Sequence, residues 1–191
     1  KEVSELVAGV TKLGTLKYRG LERYAENLRK MFLAMSKDLR IIIIKLADRL
    51  HNMQTLEGVR EEKRLRIAQE TLEIYAPIAN RLGMFEIKTR LEDLAFPYVY
   101  PSEYLWVSNL VKDRLKTETK YIAKIQHLAQ KDLVKNNIHY LQIKGRVKSL
   151  FSLYQKLLSK AKDLNKIYDL IALRIIVPDV IDCYSVLGII H

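Results

Sequence analysis

Residues 44–56, which read IKLADRLHNMQTL, place polar groups at regular spacing along a predicted helix. At about 3.6 residues per turn, one side of this helix is polar, and the opposite side is apolar and predicted to face a core. The polar stripe comprises Lys45, Asp48, Asn52 and Thr55, and the apolar stripe comprises Leu46, Leu50 and Met53. Since the apolar run 41–44 precedes it, the polar stripe indicates a ligand-facing wall of a buried helix, although a solvated surface would give the same pattern.

Length and composition exclude several classes of protein. A chain of 191 residues has room for one large or two small domains with a buried core. Its one cysteine, Cys183, excludes an internal disulfide framework and is typical of a reducing compartment. No segment approaches the ~20 consecutive apolar residues of a membrane helix, and the first residues lack a signal-peptide pattern. We therefore expect a soluble cytoplasmic protein without a membrane partner.

The formal net charge of +11 is unevenly distributed. Residues 97–191 carry 15 basic and 8 acidic side chains, against 18 and 14 in residues 1–96. The excess of basic residues in 97–191 favours a polyphosphate or RNA ligand. Because no aromatic residues interleave with these cations, nucleotide phosphate is the preferred interpretation. The densest basic region contains Lys144, Arg146, Lys148, Lys156, Lys160, Lys162 and Lys166, with Asp163 as its acidic residue.

The periodicity of the chain changes near residues 136–137. Residues 1–135 show amphipathic helical patterns, in which Pro77 should kink a helix at 61–82, Gly83 should end it, and another helix should open after Pro101 and Ser102. Beyond Asn137 the pattern predicts a strand at 139–143, a helix at 149–160, a strand at 170–177 and a helix at 181–190. The predicted fold is mainly α: a helical portion followed by the start of a mixed α/β domain.

Ordered blocks of sequence cover nearly the whole chain. They are GVTKL at residues 9–13, ENLRKMFLAMSKD at 26–38, KLADRLHNMQTL at 45–56, ETLEIYAPIANRLGM at 70–84, LEDLAF at 91–96, GRVKSLFSLYQK at 145–156, IYDLIALRIIV at 167–177 and DCYSVLGIIH at 182–191. In this order the blocks closely resemble the RelA/SpoT homologue family, the bacterial and plastid enzymes that make and degrade (p)ppGpp in the stringent response.

For the helical half, the resemblance implies an HD-type hydrolase domain. Such a domain holds one divalent metal, usually manganese, which activates a water that removes the 3′-pyrophosphate of (p)ppGpp. By its place in the motif, Asp48 matches a metal ligand, and Asn52 and Thr55 match residues that contact the nucleotide. Lys45 joins them as a (p)ppGpp contact because it shares their stripe. His51 lies off the Asp48 stripe and is interpreted as a structural imidazole.

For the second half, the resemblance implies a nucleotidyltransferase-like synthetase, which transfers pyrophosphate from ATP to the 3′-hydroxyl of GDP or GTP with the help of magnesium. Gly145 and Arg146 should lie where a strand meets the next helix. Lys148, Ser152 and Lys156, at four-residue intervals, should lie on one face of that helix. The motif match assigns Arg146, Lys148, Ser152 and Lys156 to ATP binding and Asp169 to magnesium.

The family's adjacent His-Asp pair and first histidine ligand precede the GVTKL block, and no His-Asp dipeptide occurs in this chain. We therefore expect a central fragment: the later hydrolase domain at 1–98, a helical linker at 99–137 and the start of the synthetase at 138–191. Both catalytic centres should then be incomplete. The longer protein should be a GTP/GDP pyrophosphokinase and (p)ppGpp hydrolase that associates with the ribosome or tRNA through other regions.

Two alternatives belong to other functional classes. One is a regulatory or ribosome-tethering module that binds guanine nucleotides without turnover. The other is an HD phosphohydrolase of unrelated substrate, which the presence of the block at 145–169 disfavours.

Overall fold

The structure is a computed structural model that describes residues 2–14, 38–160, 162–163, 166–167 and 169–191. The resemblance block at 26–38 therefore lies outside the described residues except for Asp38, as does Tyr168 of the block at 167–177. The described chain falls into two compact units, Lys1–Pro101 and Ser102–His191. This division leaves the predicted domain boundaries at residues 98 and 137 as predictions.

The first unit is helical. Leu46 and Met53 are buried in its core and Leu50 packs against them, so the predicted apolar stripe is confirmed. Ile43 and Ile44 of the preceding apolar run are 43% and 42% exposed, so only part of that run is buried. The helices among the described residues of this unit are α1 (Glu2–Gly14), α2 (Leu39–Gln54), α3 (Glu61–Glu70), α4 (Ala76–Arg81) and α5 (Phe85–Val99), with a 3-10 turn at Leu56–Gly58.

A π-helical turn, Thr71–Tyr75, separates α3 from α4. Pro77 has no N–H to donate, and its ring clashes with the carbonyl four residues earlier, so the backbone ahead of it must widen or bend. Pro77 therefore interrupts the helix as predicted, and the interruption takes the form of a π-helical turn. Gly83 ends α4 with φ of +72°, as predicted, while the N–H of Met84 donates to the Ala79 carbonyl at 2.9 Å.

The second unit begins with the long helix α6 (Pro101–Lys135), which ends at the predicted residue. Asn137 follows it in the left-handed region with φ of 54°. The remaining elements are β1 (Gln142–Val147), α7 (Leu150–Ser159), β2 (Ile171–Ile176) and α8 (Val180–Ile190). β1 and β2 pair antiparallel in the described residues, with Lys144 opposite Arg174.

The first strand of this unit lies later than predicted. β1 occupies residues 142–147, so Gly145 and Arg146 lie inside the strand and not at its junction with a helix. Pairing with β2 is the physical reason, because Gln142 opposes Ile176 and Val147 opposes Ile171. The predicted β2, α7 and α8 are confirmed to within about one residue at each end.

Two apolar clusters support the second unit. Val107 and Val111 of α6 contact Leu153 and Leu157 of α7 in a cluster that also contains Ile167 and Leu170. Leu133 of α6 joins Ile143 of β1 and Val186 of α8 in the other. Asp169 is exposed between the buried residues Ile167 and Leu170, which therefore anchor its backbone on both sides.

The described residues are mainly helical, as the sequence predicts. Among them, no helix combines the length and apolar character needed to cross a membrane.

Candidate functional sites

The polar stripe of α2 lies on the exposed side of the helix. Asp48 and Asn52 are exposed, and Lys45 is nearly buried at 13% side-chain exposure. The Lys45 ammonium donates to Oδ2 of Asp48 at 3.1 Å. The stripe is therefore accessible to a ligand, and its carboxylate already has one cationic partner.

Thr55 and His51 together end α2. The N–H and Oγ1 of Thr55 both donate to the carbonyl oxygen of His51, at 3.1 and 3.0 Å. The Thr55 hydroxyl keeps its acceptor lone pairs, so a nucleotide contact stays chemically possible and stays a prediction. His51 is exposed, and the interpretation of its imidazole as structural stays a prediction.

Arg49, which the sequence analysis did not assign, attaches α2 to the segment around the π-turn. Its guanidinium donates to Oε2 of Glu70 at 3.2 Å and to the Ile67 carbonyl at 3.4 Å, and lies 4.1 Å from the centre of the Tyr75 ring. The side chains of Arg49 and Glu70 are each only 14% exposed. Because Arg49 directly follows Asp48, these contacts fix the part of α2 that carries the polar stripe.

Asp48 does not form a metal site with its described neighbours. In the described part of the chain, no three His, Cys, Asp or Glu side chains lie close enough to share a metal ion. A manganese ion needs several such nitrogen or oxygen ligands. The described residues therefore do not fit a complete hydrolase metal site, and the assignment of Asp48 as a ligand stays a prediction.

Asp169 joins two lysines in the second unit. Its Oδ2 accepts from the Lys148 ammonium at 2.8 Å, and its Oδ1 accepts from the Lys156 ammonium at 2.6 Å. These hydrogen bonds, first from Lys148 and then from Lys156, lower the pKa of Asp169 to about 2. The carboxylate is thus ionised at neutral pH and about half exposed, at 51% of its side chain.

This carboxylate has the chemistry that a magnesium site needs. Magnesium prefers oxygen ligands and is commonly held by one or two carboxylates together with substrate phosphates. Asp169 supplies one ionised carboxylate, and Lys148 and Lys156 supply charges for the phosphates. The described residues therefore fit magnesium bound together with a phosphorylated ligand.

The two lysines reach Asp169 from different elements. Lys148 precedes α7, so the prediction that Lys148, Ser152 and Lys156 share one helical face is wrong. The N–H of Lys148 donates to the Leu170 carbonyl at 2.8 Å, which brings this lysine beside Asp169. Tertiary pairing, and not helical spacing, therefore places the two ammonium groups together.

Ser152 takes part in the first turn of α7. Ser149 is the N-cap: its Oγ accepts from the Ser152 N–H at 3.3 Å and donates to Ser152 Oγ at 2.9 Å. Ser152 is half-buried, and its contact with ATP stays a prediction.

The exposed face of the sheet adds further cations. Lys144 and Arg146 alternate with inward residues on β1, and Arg174 lies opposite Lys144 on β2. Like charges directly across a ladder are unfavourable, so this face suits an anionic ligand. Sequence reasoning did not single out Arg174, although the alternation of β2 with β1 would have placed it there.

Comparisons with known proteins match two regions of the chain to two family models, in the order that the sequence blocks predict. Residues 1–85 match a family model described as an HD domain, and residues 145–191 match one described as a region found in RelA/SpoT proteins. The polar stripe of α2 lies in the first matched range, and the Asp169 cluster lies in the second.

Curated relatives match along the whole chain. A GTP pyrophosphokinase of Myxococcus xanthus is 46% identical over 194 residues, covering 100% of this chain and 26% of the relative. A guanosine-3′,5′-bis(diphosphate) 3′-pyrophosphohydrolase of Aquifex aeolicus and the bifunctional (p)ppGpp synthase/hydrolase SpoT of Escherichia coli K12 are each 47% identical over 192 residues, covering 100% of this chain and 27% of the relative.

The chain thus spans about a quarter of the length of these relatives. Both matched regions, their order and the identity along the whole chain agree with the resemblance of the sequence blocks. Over its whole length the chain is similar to members of the RelA/SpoT homologue family.

Proposed function

We propose that this chain is a segment of a cytoplasmic enzyme that degrades (p)ppGpp in its HD portion and makes it in its RelA/SpoT portion. The observation that carries the proposal is Asp169, held between Lys148 and Lys156 within the RelA/SpoT match. Two cations and one ionised carboxylate are the groups that a metal-bound triphosphate requires. The names of the relatives support both activities.

In the synthetase portion, residues of this chain bind and orient ATP. Lys148 and Lys156 bind phosphate oxygens, and Arg146 on the exposed face of β1 adds a third cation. Asp169 holds magnesium, which when bound neutralises charge on the transferred pyrophosphate. The cluster thereby orients ATP for in-line attack by the 3′-hydroxyl of GDP or GTP.

In the hydrolase portion, we assign nucleotide binding to the exposed side of α2. Asn52 and Thr55 offer hydrogen-bonding groups to (p)ppGpp, and Lys45 offers charge to a phosphate. Asp48 would provide one ligand to a divalent metal, whose chemistry there would be the activation of a water. Arg49 keeps α2 in place through Glu70 and Tyr75. Association with the ribosome or tRNA is assigned to other parts of the longer protein.

Nucleotide titrations followed by NMR test both assignments in the 191-residue chain. Magnesium ATP should shift the backbone signals of residues 145–156 and of Asp169 with an affinity of roughly millimolar, about −4 kcal/mol. The affinity should fall when salt rises, because charge screening shortens from about 10 Å at 0.1 M to about 3 Å at 1 M. Guanosine 3′,5′-bis(diphosphate) should instead shift Asn52 and Thr55.

The matched controls are lysine substitutions in and next to the cluster. Lys148→Ala with Lys156→Ala should abolish the ATP shifts, whereas Lys160→Ala, an exposed lysine at the end of α7, should leave them. ATP shifts that ignore salt and centre on the first unit would overturn the synthetase assignment. Nucleotide binding at both sites, combined with no turnover in the longer protein, would favour the non-catalytic regulatory module.

A further inference from the structure

Asp169 competes with anions for the lysines that would bind them. Its two oxygens are both engaged, at 2.8 Å with Lys148 and 2.6 Å with Lys156, so each ammonium group already has an anionic partner. The three side chains come from the segment before α7, from α7 itself and from the segment before β2. A carboxylate that bridges two ammonium groups offers them the same chemistry as two oxygens of a phosphate group.

An uncomplexed phosphate must therefore displace the carboxylate. The displaced carboxylate of Asp169 would then lie unpaired beside another anion, and like charges at such short range repel each other. Ile167, two residues before Asp169, and Leu170, directly after it, are 0% and 2% exposed, so their burial keeps the carboxylate nearby. Binding of an uncomplexed anion thus breaks the ion pairs of Asp169 with Lys148 and Lys156 and leaves the Asp169 carboxylate repelled by the bound anion.

A metal-complexed triphosphate avoids this cost. The phosphate oxygens take over Lys148 and Lys156, while the metal ion gives the Asp169 carboxylate a new cationic partner. Every charged group that loses a partner gains another. The exchange is balanced only when metal and triphosphate arrive together.

We propose that Asp169 is a specificity-determining residue that selects metal-complexed triphosphate by occupying Lys148 and Lys156 against uncomplexed anions. The inference rests on the proposed function only in assigning the site to a triphosphate. The competition itself involves three side chains whose contacts the structure shows.

The test titrates inorganic tripolyphosphate into the 191-residue chain at low salt, with and without magnesium, and follows the signals of residues 145–156 by NMR. In the unsubstituted chain, magnesium should raise the affinity for tripolyphosphate. In Asp169→Asn, the affinity without magnesium should rise about tenfold, consistent with the loss of one charge-assisted competitor. Magnesium should then bring no further gain.

Asp163→Asn is the matched control, because it removes the same charge from the loop after α7, where Asp163 pairs with Lys166. It should change the affinity for metal-free tripolyphosphate by less than about twofold. Asp169→Ser is a second variant with the same expectation as Asp169→Asn, and thermal unfolding followed by Trp106 fluorescence confirms that each variant is folded.

Two results would overturn the proposal. One is an affinity for metal-free tripolyphosphate that Asp169→Asn and Asp169→Ser leave unchanged. The other is an increase that Asp163→Asn reproduces in full. Failure of the proposed function alone would give a different result. Magnesium ATP would then cause no shifts at residues 145–156, although tripolyphosphate without magnesium still bound there, and more tightly in Asp169→Asn and Asp169→Ser than in the unsubstituted chain.

Discussion

At the residue scale, two ammonium groups hold both oxygens of Asp169 and lower its pKa from the ordinary 3.8 to about 2. A depressed carboxyl pKa stabilises the folded state at pH values above the unfolded pKa. That stabilisation is lost as the pH falls through the folded value of about 2. The pair contacts therefore persist throughout the range in which nucleotides are used.

Replacing one lysine should return the Asp169 pKa toward its ordinary value. Lys156→Met removes one of the two hydrogen bonds that lower it, so the carboxyl should titrate at higher pH than in the unsubstituted chain. The measurement is the carboxyl carbon chemical shift of Asp169 as a function of pH. Lys160→Met, at the end of the same helix, should leave the titration unchanged, and an equal shift in both variants would contradict the paired geometry.

Glu92 is the opposite case. Its side chain is buried on α5, and burial raises its pKa above 4.5 despite the Lys88 ammonium at 3.3 Å from Oε2. The Oε2 atom has no well-directed hydrogen bond among the described residues. The charged form is thus disfavoured in the folded state, so the contribution of Glu92 to the stability of the first unit should become more favourable as the pH falls from 7 through the raised pKa.

Glu92→Gln should therefore raise the free energy of unfolding of the first unit at pH 7, with a smaller gain near pH 4. Hydrogen exchange of the α5 amides at both pH values measures this. The exposed Glu86→Gln, on the same helix, is the control and should have little effect at either pH. A Glu92→Gln variant that is less stable at pH 7 would mean that the contact with Lys88 outweighs the cost of burial.

The candidate residues were predictable from the sequence to different degrees. The motif match assigned Lys148, Lys156 and Asp169 to one site, and the structure brings these three together. Their arrangement was not predictable from spacing, because Lys148 and Asp169 are 21 positions apart and are brought together by the backbone hydrogen bond from Lys148 to Leu170. Arg49 was missed because its partners Glu70 and Tyr75 lie on other elements.

At the element scale, Arg49 determines how α2 attaches to α3 and the π-turn. Its guanidinium combines a fork of hydrogen bonds with stacking on Tyr75, and a lysine cannot reproduce both. Arg49→Lys and Arg49→Ala should each lower the free energy of unfolding of the first unit by roughly 1–3 kcal/mol. Chemical denaturation followed by hydrogen exchange in α2 and α3 measures the change.

Arg66→Ala is the matched control for this prediction. Arg66 approaches the same Glu70 carboxylate, but at 3.8 Å and with 54% of its side chain exposed. Its replacement should cost no more than about 0.5 kcal/mol. Equal losses in the Arg49 and Arg66 variants would contradict the special role of the buried pair.

Gly145 allows β1 to approach α6. A Cβ atom at this position would lie 2.8 Å from Cδ1 of Ile122, which is itself buried. Gly145→Val should therefore lower the free energy of unfolding of the second unit by roughly 1–3 kcal/mol. Trp106, the single tryptophan of the chain, lies in this unit, so its fluorescence reports the unfolding.

Two further variants separate crowding from other effects of the substitution. Adding Ile122→Ala to Gly145→Val should cost less than the sum of the two single losses, because the smaller side chain makes room. Gly188→Val on α8 should be close to neutral, since nothing lies within 4 Å of its Cβ position. Additive losses in the double variant would contradict the close contact.

The ends of elements were predictable where the backbone demands a particular residue. Gly83 and Asn137 adopt positive φ, so the sequence identified both helix ends. The start of β1 was not predictable from its own alternation, because pairing with residues 171–176 determines which residues join the ladder. The π-turn before Pro77 was missed for a similar reason: proline requires an interruption without specifying its form.

At the scale of the whole molecule, the two candidate sites lie in different compact units, Lys1–Pro101 and Ser102–His191. The polar stripe and the Asp169 cluster share no described residue and use separate carboxylates. Two reactions that depend on separate sites should respond separately to substitution. We expected separate sites because the periodicity of the sequence changes near residue 136. The long helix α6 continues up to Lys135, directly before this change.

Two substitutions in the longer protein to which we assign this chain test whether the two candidate sites act separately. Asp48→Asn should reduce release of pyrophosphate from (p)ppGpp by about 100-fold or more and leave synthesis from ATP and GDP or GTP nearly unchanged. Asp169→Asn should do the reverse, and Asp113→Asn, an exposed carboxylate on α6, should affect neither. Loss of both reactions from either single substitution, in a protein that remains folded, would contradict the account.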